Sequence, residues 1–166
     1  MSRKIFFNIP FNGVKVSYRR YIVPQYDLPA KDWLVHNKVD IYLPNIEIVT
    51  CVRDPLERVV LQYLEHSKNR PALRQYPIGF KEWCIACYDP LYTDKFIQNN
   101  PKEFLTQKYW LSGLEDVIKI HTINQLSLPP EGLKVKFDFI KGYYDHETTN
   151  LVKEWYKEDY TLLNGK

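Results

Sequence analysis

Arg53 is the residue whose type and place most need a chemical reason. It ends the apolar run "NIEIVTCV" and stands directly before Asp54 and Pro55 in "CVRDPLERVVLQY". Ile46, Ile48, Val49 and Val52 are β-formers in a short apolar stretch, which predicts a buried strand. Leu56, Val59, Val60, Tyr63 and Leu64 then recur at helical spacing. Arg53 therefore falls at a strand-to-helix turn. Asp54 fits the N-cap, Pro55 the first helical position, and Glu57 the third, from which it can reach back to the cap. Helix initiation accounts for those residues but not for Arg53, because a cation at a helix N-terminus opposes the helix dipole. An anion between the two would make the placement favourable, since a guanidinium offers forked, charge-assisted hydrogen bonds to phosphate. Pairing with Asp54, Glu57 or another carboxylate explains it equally well.

A second junction precedes this one. "KIFFNIPFNG" starts with the apolar run Ile5 to Phe7 and turns at Pro10, Asn12 and Gly13. Val14, Tyr18, Tyr21 and Ile22 follow as a helical stripe, with Lys15, Arg19 and Arg20 mostly off it. Free N–H groups at such a helix start can hold a phosphate or sulfate oxygen. The segment does not match G-x-x-x-x-G-K-[ST], which argues against an ordinary P-loop kinase. A turn between strand and helix accounts for these residues without any ligand.

These junctions need elements to position them. Helices are expected over Phe80–Tyr88, within Pro101–Trp110, and through Leu151, Val152, Trp155 and Tyr156 near the end. A short helix or strand is expected around "DWLVHNKVDIYLP". "DVIKI", residues 116–120, reads as a strand, and "LKVKFDFI" alternates at period two. Residues 68–80 read as a loop. Strands alternating with helices predict one α/β domain over residues 1–166 with a mainly parallel central sheet flanked by helices. In such sheets ligands bind beyond the carboxyl ends of the strands.

Composition narrows the functions. The chain has 166 residues, 45% hydrophobic and 15% aromatic, enough for one real core. Its net charge of +3 is too weak to argue for nucleic acid and suits a small anionic ligand. The three cysteines, Cys51, Cys84 and Cys87, form no disulfide framework. Cys84 and Cys87 make a C-x-x-C with no second half, so no metal site is predicted; two small buried residues explain the pair better. No targeting segment or membrane-length apolar window is visible, which predicts a soluble, cytoplasmic protein.

Four segments together resemble the carbohydrate-type (Golgi-type and bacterial) sulfotransferases. "NIPFNGVKV" stands where the family has H-I-P-K-[TN]-[GA]-[GC]-T-S. "VRDPLERVVLQY" matches V-R-[DN]-P-x-x-R-x-x-S-x-Y at Val52, Arg53, Asp54, Pro55, Arg58 and Tyr63. "FLTQKYWL" resembles P-Q-x-x-Y-L, and the C-terminal segment resembles Y-x-x-D-[FY]-x-x-[FL]-x-Y. The resemblance implies a P-loop-like three-layer fold and transfer of a sulfuryl group from 3′-phosphoadenosine 5′-phosphosulfate to a hydroxyl of a glycan or small metabolite. It places the anionic nucleotide on Pro10, Phe11, Asn12, Gly13, Val14, Lys15, Arg53 and Leu61, with Arg53 on the 3′-phosphate. His36, between the two motifs, becomes the candidate general base; His66, about three turns along the motif helix from Arg53, is judged too far away. The family's loop lysine falls on Phe11 and its phosphate-binding serine on Leu61. Two missing phosphate contacts correspond to roughly 3–6 kcal/mol, or about 10²–10⁴ in affinity. A catalytically degenerate member, serving as a nucleotide-binding or protein-interaction module, is the alternative.

Overall fold

The computed structural model describes residues 3–12, 21–24, 28–41, 44–69, 79–91, 101–122 and 142–164. Among them, strands β1 (Arg3–Phe7), β2 (Ile46–Val52) and β3 (Lys119–Thr122) form a parallel sheet in the order β1-β2-β3. Ile5 pairs with Ile48, and Val52 with Thr122. The helices are α1 (Ala30–His36), α2 (Pro55–Asn69), α3 (Phe80–Tyr88), α4 (Gln107–Leu111), α5 (His146–Trp155) and α6 (Lys157–Asn164). A 3₁₀ turn spans Pro101–Phe104. The result is a mixed α/β domain with a small parallel sheet flanked by helices.

Strand alternation sorts the side chains between the two faces. Ile5, Phe7, Ile48 and Val52 pack with Ala30 and Leu34 of α1 and with Trp110 and Leu111 of α4. Phe6, Val49 and Cys51 lie together in a second cluster, backed by Tyr21 and Val23. A third cluster joins α2, α3 and α5 through Val59, Val60, Trp83, Cys84, Cys87, Tyr88, Val152 and Tyr156. Cys84 and Cys87 are thus core residues. Burial pushes both thiols well above the usual range, and Cys51 up to about 12.

Several expectations shift. Ile22 forms a parallel bridge to Ile5 instead of continuing a helix, so the apolar stripe drawn through it breaks before that residue. The 101–110 segment is two elements, because the Thr106 hydroxyl accepts the Tyr109 N–H and starts α4 afresh. β3 begins at Lys119; Val117 and Ile118 still donate to the Leu114 carbonyl in the preceding turn. α2 continues to Asn69, into the stretch read as a loop. The C-terminal helix breaks at Tyr156 into α5 and α6. The helix expected from Val14 and the alternating "LKVKFDFI" strand lie outside the described residues.

Candidate functional site

β2 delivers Arg53 to the carboxyl end of the sheet, and α2 starts immediately after it. Asp54 caps this helix as expected, its Oδ1 accepting the Leu56 N–H at 2.9 Å. Glu57 does not reach back to the cap. Its Oε1 accepts from Arg53 Nε at 3.0 Å, and both side chains are at most 1% exposed. Arg53 Nη1 donates to the Asn12 carbonyl at 2.8 Å. Among the carboxylates weighed as partners of Arg53, Glu57 is in contact with it.

Gln107, the first residue of α4, ties this junction together. Its Oε1 accepts from the Arg53 N–H at 2.9 Å and from Asn12 Nδ2 at 3.0 Å, while its Nε2 donates to the Arg53 carbonyl at 2.7 Å. Asn12 Nδ2 also reaches the Cys51 carbonyl at 2.7 Å. Asp159 of α6 closes the cluster by accepting the Gln107 and Lys108 N–H groups at 3.0 Å each. These are orphan donors at a helix start, where a carboxylate is favoured. Burial nevertheless outweighs those bonds and raises the Asp159 pKa. Arg58 lies 4.0 Å from Asp159, donates to the Pro10 carbonyl at 2.8 Å, and stacks over the Tyr156 ring. Two guanidiniums thus face two carboxylates in a nearly dry space.

The adjoining face of α2 is also polar. Arg58, Gln62 and His66 recur every four residues and are all buried. Gln62 donates to the Glu103 carbonyl at 2.9 Å and accepts from the Tyr88 hydroxyl. His66 Nε2 lies 2.7 Å from Glu103 Oε2. Phe11 packs edge-on against the His66 ring with centroids 6.1 Å apart. Its φ of 65° is a left-handed conformation that an aromatic residue rarely adopts. Phe11, Arg58, Val59, Gln62, Glu103 and Tyr156 line a crevice too narrow for a water molecule. Among the described residues, Asn12 Oδ1, Glu57 Oε2, Arg58 Nε and His66 Nδ1 are buried without a hydrogen-bond partner.

Of the residues selected from sequence, Pro10, Phe11, Asn12 and Arg53 come together here. Leu61 is half-buried on α2. Gly13, Val14 and Lys15 lie outside the described residues. His36 is exposed at the last turn of α1, whereas the cluster is built by β2, α2, α4, α6 and the segments before them. Sequence reading did not select Gln62 or Glu103, and it held Gln107 and Asp159 only as letters of two resembled motifs, without naming them as site residues. The signal for the first was the four-residue spacing of Arg58, Gln62 and His66, a polar stripe beside the apolar one. Among the described residues no three His, Cys, Asp or Glu side chains are grouped to hold a metal ion, and no helix is long and apolar enough to cross a membrane.

Comparison with protein-family models, with curated proteins and with solved structures gave no match.

Proposed function

We propose that the chain is a sulfotransferase-type domain with a P-loop-like three-layer fold. It would bind 3′-phosphoadenosine 5′-phosphosulfate at the strand ends and transfer the sulfuryl group to a hydroxyl of a glycan or small metabolite. One observation carries this reading. Four segments far apart in the chain, each resembling a motif of that family, contribute Asn12, Arg53 with Arg58, Gln107 and Asp159 to a single hydrogen-bonded cluster. The cluster sits beyond the carboxyl ends of parallel strands, where α/β sheets bind ligands. Calorimetry with adenosine 3′,5′-bisphosphate tests it. Micromolar binding is expected, and no heat at millimolar ligand would sink the reading.

The closed crevice favours a second reading, a degenerate member that serves as an interaction module. Phe11 occupies the loop position of the family's lysine and borders that crevice, and Arg53 is already paired with Glu57. An intact fold with no bisphosphate binding is its signature.

A further inference from the structure

We propose that His66 is the general base of the transfer and that Glu103 is its positioning residue. The inference rests on the sulfotransferase reading and deepens it. A general base must offer a lone pair, and a neutral imidazole offers one on whichever nitrogen carries no proton. Glu103 Oε2, 2.7 Å from His66 Nε2, can only accept when ionised, so it draws the ring proton onto Nε2. The lone pair is then left on Nδ1. That atom is buried and unpaired, although a buried nitrogen without a partner normally has one supplied by protein or water.

The surroundings hold the ring in one orientation. Trp83 packs against it edge-on at 5.7 Å, and Phe11 at 6.1 Å. The Glu103 backbone is held where its carbonyl accepts from Gln62, whose amide oxygen receives the Tyr88 hydroxyl. Phe11 belongs to the loop that follows β1, on which the nucleotide reading places the phosphosulfate. His66 thus lies beside that loop, while His36 is exposed at the end of α1. Phe11, whose backbone is already in a disfavoured conformation, is one of the two rings against the imidazole, and its displacement would open that side of His66 to the acceptor. In the step itself, Nδ1 takes the acceptor's O–H proton as that oxygen bonds to sulfur. The bond from sulfur to the 5′-phosphate oxygen breaks, and its electron pair leaves with adenosine 3′,5′-bisphosphate.

The experiment uses the full chain, with water as the acceptor of last resort. Bisphosphate affinity is read by calorimetry and phosphosulfate turnover by release of the bisphosphate. His66→Asn should keep the affinity within about twofold and lose at least about 100-fold in turnover. His66→Ala should recover part of that loss with added imidazole. Turnover unchanged in a folded His66→Asn protein overturns the proposal while leaving the nucleotide reading intact. So does a wild-type protein that binds the bisphosphate but leaves the phosphosulfate at its uncatalysed rate. No binding by wild type overturns the nucleotide reading, and the base with it. The ring itself gives an independent readout in ¹⁵N NMR of the unliganded protein, even if both variants unfold. The proton should reside on Nε2, and Glu103→Gln should mix the two tautomers; a proton on Nδ1 in wild type overturns the assignment.

Discussion

The cluster around Gln107 and the face around His66 share helix α2 but differ in how they use their polar atoms. In the first, one side-chain amide serves two donors and donates back to a third group, so strand end, loop and α4 are locked together. In the second, His66, Gln62 and Glu103 are linked in a chain that stops at an unpaired nitrogen. Both carry buried atoms without a partner among the described residues, Asn12 Oδ1 and Glu57 Oε2 in the first and His66 Nδ1 in the second, so satisfaction alone does not separate them. What separates them is that three chain segments meet on the Gln107 amide, which makes that cluster a scaffold, whereas the other chain of contacts ends at an imidazole.

Breaking the scaffold should have the largest effect. Arg53→Ala would leave the Glu57 carboxylate buried without its cation, a change that costs about 3–5 kcal/mol. Denaturant unfolding should show a loss of that order, and the double variant Arg53→Met, Glu57→Leu should recover most of it. A single variant that loses less than about 1 kcal/mol would mean that the Arg53–Glu57 pair contributes little to holding the fold.

Gln107→Ala comes next. It removes the partner of the Arg53 N–H, the Arg53 carbonyl and the Asn12 amide. Each buried group left unsatisfied costs about 1–3 kcal/mol, though Asn12 keeps its bond to the Cys51 carbonyl. A total loss of about 2–4 kcal/mol is expected, with faster hydrogen exchange at the Arg53 amide. Unchanged exchange there would show that the strand end is held by something other than Gln107.

How much of this was legible follows from what each signal measures. The strand–turn–helix around Arg53 was readable because hydrophobic period, cap and proline all agree locally. Phe80–Tyr88 was readable for a similar reason, its apolar residues filling one face of α3. The partners of Arg53 were not readable to the same degree. Glu57 is close in sequence and was weighed; Gln107 and Asn12 lie 54 and 41 residues away, and only the fold brings them there. The break at Tyr156 was hidden because α5 and α6 both carry apolar residues at helical spacing. His66 was discounted on its distance from Arg53 along the helix. Its distance from the loop, which depends on how β1 lies against α2, sets its neighbours.

The loop side allows a gentler change that sharpens the comparison. Phe11→Lys with Leu61→Ser restores the family's side chains at those two positions. If the nucleotide reading holds, the double variant should bind adenosine 3′,5′-bisphosphate at least about tenfold more tightly, or about 1.4 kcal/mol. No gain in a folded double variant, followed by lost binding in Lys15→Ala, would mean that Lys15 already supplies the charge. No effect from either would mean that Phe11 does not face the nucleotide.

The smallest effect separates two carboxylates by the sign of their pH dependence. Asp145 caps α5: its side chain accepts the Thr148 N–H at 2.8 Å and pairs with Lys81 at 2.8 Å. The Lys81 ammonium first, then the Thr148 hydrogen bonds, hold its carboxyl well below the usual range. A depressed native value contributes stability above the unfolded value of about 3.9 and loses it as pH falls towards the native one. The pair is half-exposed, so salt should weaken it further. Asp159 is the opposite case, because burial raises its native value. Its contribution is fully present below the unfolded value and is lost as pH rises through the raised one. Asp145→Asn should therefore be slightly less stable than wild type at neutral pH, and the two unfolding midpoints should draw together as the solution is acidified. Asp159→Asn removes a group whose contribution to stability falls as pH rises, so its midpoint relative to wild type should rise with pH over the acid range. Parallel pH profiles for the two variants would mean that the exposed cap and the buried carboxylate feel the same environment, which the burial of Asp159 against α4 argues they do not.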